Sequence, residues 1–240
     1  MNFRGDISEP GVIFNSSLND SAVVRSRWNS RVDIDLKNWK AFQHIRFWTQ
    51  IFSDLQGLDP RGNDLNQLSE TGLEFTGKRR GLFQFRANRL YRSHHTQSIF
   101  SDLRNRSVSG TWDEVHFIIK ANRNVELDAA IHYGHDIGEY QEKSFDATGL
   151  GVELNGRYFI GVSGRLQLRM EWNSIREKNE LMVLPPEALH GLPVGQNLQT
   201  HTRLQYLINR NISLVLSLNT IHNQRYQNMV TFLGEFRAYF

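Results

Sequence analysis

The chain has 240 residues, a formal net charge of +3 at neutral pH, 39% hydrophobic residues and a mean hydropathy of -0.49. So polar a composition excludes a conventional globular core of this size, while 15 Phe and an aromatic content of 11% argue against disorder. Acidic and basic residues alternate without a long basic block, so we expect no nucleic-acid partner. The remaining interpretation is a sheet with one wet and one dry face.

Alternation of apolar and polar residues runs through most of the chain and predicts strands. In chain order, we expect them at residues 11–14, 22–36, 43–55, 73–75, 83–91, 114–121, 125–133, 150–154, 158–172, 198–208, 212–219 and 230–240. Asn155, Gly156 and Arg157 predict a tight hairpin turn, because Asn-Gly readily adopts the left-handed backbone of such turns. The total is about eleven or twelve strands.

The predicted connections alternate between short and long. Short ones fall at residues 37–41, 78–81, 122–124, 155–157 and 209–211, and long ones at 56–69, 92–110, 135–144 and 173–196. Residues 222–228 form a connection of middling length. Transmembrane barrels have short turns at one end and longer loops at the other. This sorting therefore favours such a barrel over a soluble meander.

Two further features place the apolar rows against lipid. The polar rows are heavily charged, as expected for a wet or plugged interior. Tyr91, Tyr133 and Trp172 lie near one end of the apolar rows, and Tyr206 and Phe240 near the other, which is typical of an interfacial aromatic girdle. The predicted fold is an all-β, antiparallel up-and-down transmembrane β-barrel of about 12 strands.

The sequence shows no membrane-spanning helix and no N-terminal signal region. No stretch approaches the ~20 apolar residues of a membrane helix, and the first residues, Met1-Asn-Phe-Arg-Gly-Asp6, have no apolar signal region. We therefore expect residues 1–20 to be an N-terminal extended segment or the remnant of a longer chain, and residues 21–240 to form the barrel. The absence of Cys fits an oxidising compartment.

The last strand, Val230-Thr-Phe-Leu-Gly-Glu-Phe-Arg-Ala-Tyr-Phe240, resembles the C-terminal β-signal of bacterial outer-membrane proteins. Phe232, Phe236 and Phe240 match the alternating pattern with its terminal aromatic residue, whereas Ala238 is smaller than the pattern usually shows. The resemblance implies insertion by the barrel-assembly machinery, location in the bacterial cell outer membrane, and contact with outer-membrane lipid and lipopolysaccharide. It implies no activity and identifies no narrower family.

The first functional hypothesis is a narrow channel or uptake pore with a charged lumen for a small solute. The row Arg25, Arg27 and Arg31 would favour anionic solutes, although the same charges could form a structural ion-pair network. The polar rows supply these candidate lumen-lining residues: Arg25, Arg27, Arg31, His44, Arg46, Glu114, His116, Glu126, Asp128, His132, Arg165, Arg169, Glu171, His201, Arg203, Glu235 and Arg237.

Two alternatives stay open. The first is a structural, adhesin or export barrel that acts through its outer loops. Its longest predicted loop, residues 173–196, carries the apolar stretch Leu181-Met-Val-Leu-Pro-Pro186 and could bind a partner or fold inward as a constriction. The second is an outer-membrane enzyme that uses the polar-row histidines, or the pair His94-His95, as a base or metal ligand. No catalytic spacing supports the enzyme, so we expect no catalytic residue, metal or cofactor.

Overall fold

The computed structural model describes residues 2–8, 11–15, 22–58, 62–98, 104–179, 183–209, 211–224 and 228–238, and side chains from residue 27 onward except at 57, 58, 62 and 63. These residues form one 13-stranded sheet. The strands are β1 (Asn2–Ser8), β2 (Gly11–Asn15), β3 (Ala22–Lys37), β4 (Phe42–Leu58), β5 (Gly62–Gly77), β6 (Phe83–Gln97), β7 (Arg106–Lys120), β8 (Val125–Tyr140), β9 (Lys143–Ile160), β10 (Gly164–Glu177), β11 (Gly195–Asn209), β12 (Ile212–Asn223) and β13 (Met229–Ala238).

The sheet runs up and down without crossovers. From β3 to β13, each strand pairs antiparallel with the next strand in sequence. Both β1 and β2 pair with β3, β1 with residues 29–35 and β2 with residues 22–26, so together they occupy one position. The sheet therefore has twelve strand positions across, which confirms the predicted all-β antiparallel architecture of about 12 strands.

In the part of the chain that the structure describes, no helix is long and apolar enough to span a membrane. A single-turn 3-10 helix, Ala188–Gly191, lies between β10 and β11.

The two faces of the sheet differ in burial as well as in polarity. On β8, Ile131 is 52% exposed, whereas its neighbours Ala130 and His132 are 5% and 3% exposed. On β9 and β10, Leu154 and Leu168 are 59% and 50% exposed. Because side chains alternate along a strand, each strand presents an apolar row on one face, here called the outer face. The opposite face carries the charged residues and is called the inner face.

The predicted hairpin turn at Asn155, Gly156 and Arg157 is wrong, and so is the single strand predicted over 158–172. Strand β9 continues to Ile160, with Gly156 paired to Leu127 on one side and to Leu168 on the other. The turn lies instead at residues 161–163, where Gly161 has a φ of +57° that favours glycine. Pairing on both sides of β9 stabilises the Asn-Gly step in an extended form, although the dipeptide alone favours a turn.

The predicted long loops are shorter in the structure because the strands extend into them. The predicted loop 135–144 is wrong: β8 and β9 continue until only Gln141 and Glu142 separate them, both in the left-handed region with φ of 52° and 63°. Outer-face residues on these extensions are polar, for example Ser107 and Ser109 on β7. The outer-face apolar row that indicates a strand therefore ends there, and the apolar side chains lie on the inner face instead, as at Val108.

Candidate functional site

The longest connection that the structure describes between strands folds back onto the inner face. Its described part, residues 183–194 between β10 and β11, is called the inward loop. Leu189 is fully buried, and the loop packs on inner-face side chains of four strands. The shared apolar cluster consists of Val108, Trp112, Phe145, Ala147, Ile175, Leu184, Ala188, Leu189, Leu192 and Val194. Of the alternatives left open for this loop, the structure shows inward folding.

Glycines on the inner face make room for the loop. A Cβ atom at Gly134 would lie 2.4 Å from the Trp112 ring and 2.8 Å from Leu189 Cδ2. One at Gly149 would lie 2.8 Å from Ile175 Cδ1 and 3.5 Å from Leu189 Cδ2. Strands β8 and β9 therefore lack side chains where the loop approaches them most closely.

A buried carboxylate anchors the tip of the loop. Asp136 on β8 is 1% exposed, and its Oδ2 accepts hydrogen bonds from the backbone N–H of Leu189 at 2.6 Å and from Arg92 Nη2 at 2.5 Å. Leu189 and His190 both have positive φ, at 45° and 59°. The backbone of a non-glycine residue rarely adopts this conformation, so the Asp136 hydrogen bond and the packing must stabilise it.

Aromatic stacking joins the loop to the predicted polar row. The Trp112 ring stacks on His132 with a centroid distance of 4.9 Å and meets the edge of His190 at 4.2 Å. Trp112 Nε1 donates a hydrogen bond to Glu114 Oε1 at 2.7 Å. His132 contacts the buried Asn173. Burial lowers the pKa of His190, so the docked loop favours its neutral ring.

The near end of the inward loop is held by an ion pair. Glu187 Oε1 lies 2.6 Å from Arg106 Nη2 on β7 and 3.6 Å from His94 Nδ1 on β6. The side chains of Arg106 and Glu187 are 23% and 22% exposed, so water screens this pair more than it screens the Asp136 contact. The loop is thus fixed at two points, Glu187 and Leu189, that are two residues apart in sequence.

A cavity of about 510 Å³ remains beside the inward loop. One wall is formed by strands β4 to β7 and the other by the loop. It is lined by Phe52, Asn66, Leu68, Glu70, Arg92, His94, Val108, Pro186, Glu187 and His190. The lining mixes charged, amide and apolar groups, a composition suited to small hydrophilic molecules.

The described arginines of the predicted row on β3, Arg27 and Arg31, are paired with carboxylates. Asp33 lies 2.7 Å from Arg31 Nε on the same strand and 2.6 Å from Arg46 Nη2 on β4. Arg27 lies 3.3 Å from Asp54 on β4. Arg46–Asp33 and Arg27–Asp54 are cross-strand ion pairs on one face of β3 and β4. These contacts follow the ion-pair interpretation of the row.

Two more networks occupy the inner face further along the sheet. Arg169 on β10 lies 2.9 Å from Glu153 and 2.8 Å from Glu171. Arg157 lies 2.9 Å from Glu126. The predicted charges on these strands are therefore brought together in ion pairs.

The predicted histidines contact acidic or amide groups. His116 Nδ1 lies 3.1 Å from Asp128, and its Nε2 lies 3.4 Å from Glu114. His44 Nδ1 lies 3.4 Å from Asp35. His201 contacts Asn219. Among the described residues, no group of three His, Asp or Glu side chains is placed to hold a metal ion.

The other predicted residues have these positions. Arg165 and Arg203 lie on the inner face of β10 and β11, and on β13 Arg237 pairs with Glu235 at 2.5 Å. Phe232 and Phe236, of the predicted insertion signal, are 67% and 62% exposed on the outer face. Phe240 and the side chain of Arg25 lie outside the described residues. A lumen-lining role for these polar residues stays a prediction.

Several residues that hold the site were not predicted from the sequence. Arg92, Asp136 and Asn173 fell within segments predicted to be loops, and Trp112 lay just outside a predicted strand. Their only signal in the sequence is that they continue the alternating positions of the polar face beyond the point where the apolar residues of the other face end. Gly134 and Gly149 gave a further hint, since isolated glycines in strands often mark a close approach of backbone.

No family model matches the sequence, and no curated protein sequence matches it significantly. The fold is similar to solved structures at very low identity. The KdgM porin is 9% identical, with 92% of this chain and 99% of that chain covered and a TM-score of 0.40. The NanC porin is 11% identical, with 92% and 98% covered and a TM-score of 0.44. The β-domain of the Bordetella autotransporter BrkA is 11% identical, with 98% and 96% covered and a TM-score of 0.39.

Proposed function

We propose that the chain forms a bacterial outer-membrane β-barrel that conducts small hydrophilic solutes through a lumen narrowed by the inward loop. The observation that carries this proposal is the cavity of about 510 Å³ between the inward loop and strands β4 to β7, lined by Glu70, Arg92, His94 and Glu187. A scaffold without transport needs no such polar space behind an anchored loop.

The outer face supports a position in a membrane. On β9, exposed apolar side chains extend along one face from Leu150, at 50%, to Ile160, at 37%. This range falls within the ~9–11 residues with which a tilted β-strand crosses a bilayer. Large apolar side chains stay exposed on most strands, which is costly in water but favourable in lipid. In lipid the free edges of β13 and of β1–β2 must be paired, so we place them together in a closed barrel.

The inner face supports a wet interior. Arg169 with its two glutamates, and Asp33 with its two arginines, are partly exposed ion pairs that a dry core would not tolerate well. The same face is too charged to contact lipid.

The partners expected from the sequence belong to this proposal. The outward-facing Phe232 and Phe236 support recognition of the last strand by the barrel-assembly machinery, and the outer apolar rows support contact with outer-membrane lipid and lipopolysaccharide. No catalytic role is part of the proposal.

The test is conductance in planar lipid bilayers. The native chain should give small channels, and replacement of residues 184–192 by a short Gly/Ser linker should increase the single-channel conductance several-fold. A matched control inserts the same linker between Gln141 and Glu142, a turn at the same end of the barrel, and should leave conductance unchanged. Folded, inserted chains that conduct neither with nor without the loop would overturn the proposal.

A further inference from the structure

Two arginines and two glutamines form a checkerboard on the inner face of β10 and β11. Arg165 is paired with Gln205, and Gln167 with Arg203. The two arginines are thus diagonal neighbours, whose backbones are about 7–8 Å apart in an antiparallel sheet. Strand β10 begins at Gly164, so the group lies near the short turn at residues 161–163, well away from the inward loop.

These two arginines differ from their neighbours because, among the described residues, neither forms an ion pair with a carboxylate. Arg165 Nη2 donates to Gln167 Oε1 at 3.1 Å. Arg203 interacts electrostatically with Glu235, but Glu235 is already paired with Arg237 at 2.5 Å.

The other arginines on the described inner face differ from Arg165 and Arg203 in their partners. Arg27, Arg31, Arg46, Arg92, Arg106, Arg157 and Arg169 each contact a carboxylate. Arg86 contacts His116 instead. A cavity of about 100 Å³ is lined by Arg165, Gln167, Arg203 and Gln205 themselves.

The walls of this cavity favour a defined ligand position. Across β12, Gln205 is paired with Val215 and Arg203 with Ser217, and both β12 residues are under 10% exposed. On the other side, the Arg165 guanidinium lies over the Phe159 ring at 6.0 Å. The Arg165 guanidinium is therefore packed against a ring beside the space, whereas Arg203 lies exposed at its border.

We infer that this checkerboard is an oxyanion subsite, which holds a carboxylate or phosphate group of a solute that passes through the lumen. Guanidinium groups donate two parallel hydrogen bonds to such a group, and their charge is available here because it is not used in an ion pair. The Gln205 amide supplies a further donor. The volume fits one oxyanion group, and water reaches it because Arg203 and Gln205 are exposed. The predicted anion preference thus moves from the neutralised β3 row to β10 and β11. The inference rests on the proposed function for its solute, but the subsite itself is testable without transport.

The probe is inorganic phosphate, titrated by calorimetry into the folded full chain in detergent at low ionic strength. The double variant Arg165→Gln with Arg203→Gln should weaken phosphate binding at least 10-fold. The control variant Arg27→Gln removes one positive charge whose partner is Asp54, and it should change phosphate affinity less than 2-fold. Folding of each variant is checked by its heat-dependent shift on SDS gels.

Conductance distinguishes the two proposals. If the native chain conducts but phosphate neither binds nor reduces current, the subsite is excluded and the channel stands. If phosphate binds and the double variant abolishes binding while no variant conducts, the subsite stands and the channel is excluded.

Equal loss of affinity in Arg27→Gln and in the double variant would show a general charge effect and overturn the subsite. Should the double variant fail to fold, Arg165→Lys with Arg203→Lys replaces it. A site built on the guanidinium fork predicts at least a 3-fold loss of affinity in that variant, and unchanged affinity would contradict it.

Discussion

Asp136 accepts a hydrogen bond from the backbone N–H of Leu189, with the nitrogen 2.6 Å from Oδ2, although the two residues are 53 positions apart in sequence. The carboxylate is 1% exposed, so the contact forms where water cannot replace it. It connects the inner face of β8 to the tip of the inward loop and fixes the loop against the sheet.

Loss of the Asp136 charge should release the loop. Asp136→Asn keeps the size of the side chain but leaves Arg92 without its partner, and breaking a buried ion pair costs about 3–5 kcal/mol. The chain has no Cys, so Ala188→Cys provides a single thiol whose labelling by a maleimide reports on docking. Ala188 is fully buried, and we expect labelling to become at least 10-fold faster in Asp136→Asn.

The matched reporter for this experiment is Val183→Cys, which is 58% exposed at the start of the loop. Its labelling should be fast and indifferent to Asp136→Asn. Slow labelling at position 188 in both backgrounds would show that Asp136 does not hold the loop.

Added bulk on β8 should also displace the loop. A Cβ at Gly134 would lie 2.4 Å from the Trp112 ring, so Gly134→Ala should destabilise docking by about 1–3 kcal/mol through overpacking. Gly156→Ala is the control, because the nearest atom to its Cβ is 3.6 Å away. Single-channel conductance should increase in the first variant only; equal effects would contradict the packing described for Gly134.

Docking should weaken in acid through His190. Burial lowers its pKa below the usual 6.5, so the undocked loop binds the proton more readily than the docked loop. Docking is therefore strongest above pH 6.5 and is progressively lost as pH falls below that value. The charged or titratable groups that face His190 are Arg92, Glu114, Asp136 and His132.

The measurement is the labelling rate at Ala188→Cys, divided at each pH by the rate at Val183→Cys. The ratio should increase from pH 7.5 to pH 5, and His190→Gln should flatten the change. A pH dependence that persists in His190→Gln would assign the effect to another group.

A charged side chain on the outer face should lower the free energy of unfolding only where it lies within the apolar band. Leu168 is 50% exposed, and Leu168→Arg should lower the free energy of unfolding in lipid vesicles by about 2–4 kcal/mol. Ser144→Arg, at the end of β9 beyond the apolar row, should cost about 0–1 kcal/mol. If Leu168→Arg costs no more than Ser144→Arg, the outer face does not contact lipid.

The sequence predicted the strands where one face must be apolar. Leu166, Leu168 and Met170 alternate with charged residues, and the structure places them as this period requires. The predicted strands end where the outer face no longer carries an apolar row. Ser107 and Ser109 face outward beyond the apolar band, so the outer row of their strand is polar, and the apolar residue between them, Val108, lies on the inner face.

The candidate site was less accessible from the sequence. Trp112, Asp136 and Leu189 come from three separate segments, and no local pattern shows that they meet. The contact depends on the order of strands in the sheet and on missing side chains at Gly134 and Gly149. The ion pairs of Asp33 and Arg169 were easier, since opposite charges on one face of adjacent strands attract.

The inward loop packs against β7 to β10, while the cavity of about 510 Å³ opens toward β4 to β6. The space left for a solute therefore lies between the sheet and the loop. One side of it presents Asn66 and Glu70, and the other presents Pro186 and His190. A solute in this space has chemically different walls on its two sides, so we expect molecules of equal size and charge to bind differently when their polar groups are arranged differently.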